Sequence, residues 1–356
     1  MEADDTKMVE ISKREVMAHG EVYDYVKLKQ LPEFGDLSEK VNDLLKRTTW
    51  MELYGIDWMI FLTGIAGTAF SLWLLKSDSI FTLVIGGLLM GYCHSVIATK
   101  GGHCSSHGAV CQSSAWNKFW TVVFVEFVGS FSSEAAIDIH IKYHHPHTNI
   151  IGLGDSSTWK MPMLPSYIYM FVAPILLPTA TPFVGFSNLF GQWMKLLRSI
   201  IVVSLGLAFH FYLLMTFSGF SLLGAIICTF ASRATLAIPY IHVNIFQHIG
   251  LPMYSNKDRP KRIYQMATGV LNLNRNPILD YSFGHSIISC HVEHHLFPRL
   301  SDNMCLKIKP LVSKFLKESG LPYNEETYSN RLSLFIDKYE ELMVNAPPIT
   351  HFVGLQ

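Results

Sequence analysis

Two close pairs of apolar stretches constrain this chain more than any other feature. Residues 56–75 and 79–99 each approach the ~20 residues that cross a hydrocarbon core, and a link of a few residues around Lys76 joins them. Residues 197–217 and 219–240 repeat the arrangement with a tighter link. Each pair reads as a helical hairpin. The expected fold class is therefore an all-α integral membrane protein, with four transmembrane helices in two hairpins and a cytosolic helical cap. Composition agrees, since 49% of the 356 residues are hydrophobic and 16% are charged, where soluble domains carry about 25% charge.

No Pro/Gly/Ser linker, charge block or internal repeat divides the chain, so one membrane-embedded unit is expected. Its parts are a cytosolic N-terminal segment (1–55), the first hairpin (56–99), a cytosolic or interfacial middle segment (100–196), the second hairpin (197–240) and a cytosolic C-terminal region (241–356). Lys and Arg number 8 in residues 1–55, 6 in 100–198 and 12 in 241–356, against Lys76 alone in the two hairpin links. This bias puts both termini and the middle segment in the cytosol. Residues 119–131 and 167–177 are apolar but short and read as interfacial or re-entrant; a crossing by either would break that sidedness. Arg233, the charge in the last span, must reach a helix end or a protein-filled cavity. Amphipathic helices are expected at 306–317 and 326–343.

Several function classes fall away. The polar, acid-containing N-terminus has the form of neither a secretory signal nor a transit peptide. Cysteines at 93, 104, 111, 228, 290 and 305 show no CxxC spacing and suit free thiols in a reducing compartment. A net charge of zero, without a basic stripe, argues against nucleic acid as a partner.

Chemistry enters with the histidines. His103 and His107 stand in HCSSH just past the second span; His140, His144 and His145 form HIKYHH; His291, His294 and His295 form HVEHH. Spacings of three and four put side chains on one helix face, so each cluster offers convergent imidazoles from one rigid element. All three fall on the expected cytosolic side and can meet. Imidazole suits zinc, copper, iron and nickel, and eight are too many for one tetrahedral zinc, so two ions are implied. Spacing alone does not choose between metals. Attack on a methylene needs a redox metal and oxygen, which favours iron.

HCSSH, HIKYHH and HVEHH resemble the three histidine boxes of membrane fatty acid desaturases. The order of hairpin, two boxes, hairpin and box is similar too, over about residues 45–350. The resemblance implies a di-iron centre with O2 as co-substrate, and a cis double bond introduced into an acyl chain in unsaturated fatty acid biosynthesis. It also implies a further histidine and a water-holding asparagine in an N-x-x-x-H arrangement, which Asn244 and His248 match, with His242 as a competing ligand. The substrate would be an acyl lipid or acyl-CoA, and the setting the endoplasmic reticulum membrane and its lipids. No HPGG-bearing cytochrome b5 domain is seen, so a separate cytochrome b5 and its NADH-dependent reductase are the expected electron donors. The third box begins with His291, where many front-end desaturases have glutamine.

Other readings stand beside these. His94 and His210 are expected as packing residues, and His147 and His285 as supports or surface groups. Glu293 either orients a ligand imidazole or lies exposed on a helix, and Asp155 either binds a head group or makes a turn. A lipid hydroxylase would use the same site, since one hydrogen abstraction followed by oxygen rebound needs the same groups; product mass separates the two. An inactive lipid-binding scaffold, a zinc-dependent hydrolase and a metal transporter are the alternatives of other classes. A transporter would carry its ligands inside the spans rather than beyond their ends.

Overall fold

The computed structural model describes residues 31–150, 165–254, 256 and 259–339; Asp155 lies outside them. Helix α1 (Phe34–Lys46) leads into the first hairpin, α2 (Met51–Leu74) and α3 (Ile80–Ser106). Helix α4 (Ser114–Thr121) runs on as a wider π-helical turn, Val122–Val128. Helix α5 begins at Ser133–Ala136 and continues through the π-helical Ile137–His144 into His145–His147. Then come α6 (Ile168–Ser187) and the second hairpin, α7 (Trp193–Ser218) and α8 (Leu222–Phe246).

Among the described residues five helices, not four, are long and apolar enough to cross a membrane. The addition is α6. The sequence reading ends that stretch at 177 as too short to cross, yet the helix continues to Ser187 through Pro178 and Pro182. Membrane helices tolerate proline where neighbours re-satisfy the freed backbone groups. The start of α6 lies at the histidine-bearing end, with the Met170 carbonyl on His242 (2.9 Å) and the Tyr169 ring tilted against that of Phe335. Its last turn abuts the α4–α5 turn, where a Cβ on Gly185 would meet the Ser132 nitrogen at 2.8 Å. Large apolar side chains along the hairpins, including Leu62, Phe81, Leu88, Leu205 and Phe209, are exposed. Such a surface suits an integral membrane protein.

Small residues let the hairpins lock together. A Cβ on Gly91 of α3 would come within 1.9 Å of the Ser232 carbonyl oxygen of α8, and one on Gly206 of α7 within 1.8 Å of the Phe127 carbonyl oxygen. Close backbone approach of this kind is how helices associate where lipid offers no hydrophobic drive. At the far ends Ser218 donates to the Leu72 carbonyl (2.8 Å). The α4–α5 hairpin therefore reaches alongside the middle of α7. Arg233 meets its turn, donating to Ser130 Oγ (2.9 Å) and the Val128 carbonyl (3.0 Å), which is the helix end its charge requires. Arg198 pairs with Glu126 (2.7 Å) and Glu134 across the same hairpin.

Beyond α8 the chain forms a cap of α9 (Arg262–Gly269), β1 (Leu271–Leu273), α10 (Pro277–Phe283), α11 (His291–Leu296), α12 (Asp302–Glu318), β2 (Asn324–Glu326) and α13 (Tyr328–Asp337). The helices expected at 306–317 and 326–343 correspond to α12 and α13, and Met343 lies outside the described residues. Strands β1 and β2 pair in parallel, Leu271 opposite Asn324, a small departure from an all-α fold. Two apolar cores hold the cap. One joins Leu37 and Val41 of α1 to Val292, Met304 and Ile308, and the other joins Val243 and Phe246 to Leu271, Phe283 and Phe335.

Candidate metal centre

The histidine-bearing ends converge. His103 stands in the last turn of α3 with His107 at its C-cap; His140, His144 and His145 line α5; His248 follows α8; His291, His294 and His295 sit on α11. Their ring nitrogens assemble into two groups of four, His103, His107, His140 and His294, and His144, His248, His291 and His295, each group within 4.8 Å. His145 lies between them, its Nε2 3.2 Å from His140 Nε2 and 3.1 Å from His294 Nε2. Its ring is 4.3 Å from that of His295.

This division corrects the expectation that each box acts as one convergent unit. Only HCSSH does so. Adjacent residues on a helix point about 100° apart, so His144 and His145 diverge, as do His294 and His295. The second and third boxes thereby contribute to both groups. The π-helical turn that carries His140 and His144 is the kind of irregularity that recurs at functional sites.

Backbone carbonyls set the orientation of two rings. His248 Nδ1 lies 3.2 Å from the Gly269 carbonyl oxygen and His291 Nδ1 lies 2.9 Å from that of Ser286. A carbonyl only accepts, so each Nδ1 carries the hydrogen and each Nε2 is left as a lone pair. Those two Nε2 atoms face each other at 2.9 Å. Two lone pairs at that distance repel unless a cation lies between the rings and shares both. His295 is fixed through Thr148 Oγ1 (3.2 Å) and His103 through Ser286 Oγ (3.3 Å), while the buried His107 Nε2 has no hydrogen-bond partner. The donor set fits metal ions.

Electrostatics point the same way. Burial, reinforced by the neighbouring rings, holds His107, His140, His144, His145, His291, His294 and His295 well below the ordinary imidazole range. Burial takes His248 down to about 4. The rings are thus neutral at physiological pH, the form that ligates.

Other residues singled out by sequence fall elsewhere. Asn244 stands one turn before His248 and donates its amide to the Tyr240 carbonyl of its own helix (2.6 Å). His242 is outside both groups, bonded to Tyr328 Oη (2.6 Å) and the Met170 carbonyl. Glu293 is fully buried rather than exposed, and its carboxylate accepts from Tyr323 Oη (2.5 Å) and Asn272 Nδ2 (3.0 Å). It braces the back of α11 against β1. Burial pushes its carboxyl up to about 7, against the pull of those hydrogen bonds. His285 contacts Asp280 and Ser289, and His147 the Tyr143 carbonyl.

Sequence reasoning missed Asp57, Lys100, Ser286 and Asp302. Lys100 Nζ lies 2.9 Å from Asp302 and 3.7 Å from Asp57, all three buried. Asp302 Oδ1 accepts from both the backbone nitrogen and the hydroxyl of Ser286, each at 2.7 Å. A lone Lys at the end of a span was the available signal.

Residues 78–327 match the family model described as fatty acid desaturase. The chain is 50% identical over 327 residues to "Fatty acid desaturase 6" of Homo sapiens, covering 90% of each protein. To the protein of that name from Bos taurus it is 49% identical over 324 residues, 90% of this chain and 95% of that one. A more distant similarity, 27% over 104 residues, joins it to the "Acyl-lipid (9-3)-desaturase" of Borago officinalis, covering 29% of this chain and 23% of that protein.

Proposed function

We propose that this chain, which belongs to the fatty acid desaturase family, is an O2-dependent acyl desaturase that introduces a cis double bond at a two-iron site. The observation that carries the reading is the opposed pair of unprotonated Nε2 atoms on His248 and His291, within a set of nine imidazoles too large for one ion. His103, His107, His140 and His294 would hold one iron and His144, His248, His291 and His295 the second, with His145 between them and Asn244 acting through a water. Bound iron would supply the one-electron chemistry with O2 that an unactivated methylene requires. The second group is wholly buried, whereas His103 and His140 of the first are partly exposed. An acyl chain would approach the first group, and the enclosed second group would keep water away.

Membrane placement follows from the same frame. The N-terminal ends of α2 and α7 and the C-terminal ends of α3 and α8 lie with the histidines, and we assign that end to the cytosolic face of the endoplasmic reticulum, in keeping with its excess of Lys and Arg. α6 would then be re-entrant, since its start contacts His242 and its end leads back into α7 at the same face. A membrane cytochrome b5, reduced by an NADH-dependent reductase, would deliver electrons there. Arg262, which donates to the His295 carbonyl (2.7 Å), and Arg259, on the Pro146 carbonyl, suit an acidic donor.

The test is expression in cells fed isotope-labelled fatty acids, with His294→Ala as control. A product lighter by two hydrogens, absent from the control, is expected. A product heavier by one oxygen would make the protein a hydroxylase, and identical lipids in both cultures would remove the catalytic reading.

A further inference from the structure

Ser286 touches both groups of histidines at once. Its hydroxyl lies 3.3 Å from His103 Nδ1, and its carbonyl oxygen 2.9 Å from His291 Nδ1. The same residue is held from behind, because its backbone nitrogen and its hydroxyl both donate to Asp302 Oδ1 at 2.7 Å. With its hydrogen directed at the carboxylate, Ser286 Oγ presents a lone pair to His103, so His103 Nδ1–H donates and its Nε2 faces the first group as a lone pair. Asp302 is in turn fixed by Lys100 at 2.9 Å, and Lys100 belongs to the same helix as His103. The surroundings are shaped for this. Gly284 has φ +104, and a Cβ there would meet Asp302 Oδ1 at 2.6 Å.

Building on the two-ion reading, we propose that Ser286 is a positioning residue for both metal-binding groups. Its side chain fixes His103 of the first group, its main chain fixes His291 of the second, and the buried Asp302–Lys100 pair anchors it to α3. Groups that hold the far nitrogen of a metal-bound imidazole set its tautomer and ring angle, and their loss weakens metal binding by about 10- to 100-fold. A particular asymmetry follows. Ser286→Ala removes the hydroxyl on which His103 depends but leaves the carbonyl that holds His291, so it disturbs one group and spares the other.

The experiment measures anaerobic Fe(II) affinity of the purified full chain, by competition with a chelator, and the absorption spectrum of its Co(II) form. In a His248→Ala background, where the first group is intact, adding Ser286→Ala should lower affinity by about 10- to 100-fold and alter the Co(II) bands. In a His107→Ala background, where the second group is intact, it should change affinity by no more than about twofold and leave the bands in place. Ser286→Thr, which keeps the hydroxyl, should restore the first group's affinity. Equal weakening in both backgrounds, no change in either, or aggregation of the metal-free Ser286→Ala protein would assign Ser286 a merely structural role and overturn the proposal. Parent protein that takes up no metal overturns the two-ion reading instead, so the two failures are distinct.

Discussion

The two histidine groups are braced by residues outside the three boxes: Ser286 Oγ meets His103 Nδ1 and Thr148 Oγ1 meets His295 Nδ1. Ser286, Asp302, Lys100 and Asp57 come from four separate segments and meet only through tertiary packing, so no local pattern marks them. His248 became visible only through a family pattern, and its Gly269 carbonyl partner is set by the end of α9. The depressed imidazoles carry a pH consequence. In the metal-free protein they stay neutral at pH values where the unfolded chain takes up protons, below its ordinary value near 6.5. The unfolded state therefore binds more protons, and stability falls as pH drops below about 6.5. Each such group contributes about 1.4 kcal/mol per pH unit until its own depressed value is reached. Thermal unfolding of metal-free protein in detergent should show a clearly lower midpoint at pH 5.5 than at pH 7.5; equal midpoints would mean that the rings are not desolvated.

At the level of helices, each of the four expected stretches lies in a helix long and apolar enough to cross a membrane, with its ends moved. The second runs through the π-helical Ser95–Gly101 to Ser106, so that His103 stands in the last turn of the same helix. The apolar stretch expected to end at 177 continues as α6 to Ser187, through Pro178 and Pro182. The splitting of HIKYHH and HVEHH between two groups was hidden for a geometric reason. Spacing gives the angle between side chains on one helix but not the direction in which the partner helices present theirs. Glycines make the packing testable. Gly206→Val should destabilise strongly, since even a Cβ would overlap the Phe127 carbonyl. Gly87→Ala, with nothing within 4 Å of the added atom, should leave the melting temperature nearly unchanged. Similar melting of the two variants would show that α4 does not seat on α7 this closely.

For the molecule as a whole, hydropathy and charge bias point to the membrane class and an expected sidedness, and the fifth apolar helix would reverse that sidedness beyond it only by crossing. Contacts at the two ends of α6 favour an even number of crossings. Glycosylation mapping distinguishes the cases. An acceptor site inserted beside Lys76 or Gly219 should be modified in microsomes, and one inserted at Gly108, beside the first box, should not. Modification at Gly108 would place the histidines in the lumen and exclude a cytosolic electron donor.

Because α5 and α11 each supply histidines to both groups, neither group can be assembled without committing the helices of the other. The two sites share a yoke. The first ion to arrive would bear most of the ordering cost of α5 and α11, leaving the second a site already drawn taut. Filling should then be cooperative: in an Fe(II) titration, chains with two ions would outnumber those with one even at half saturation, and a large population of singly loaded chains would show that the yoke is slack.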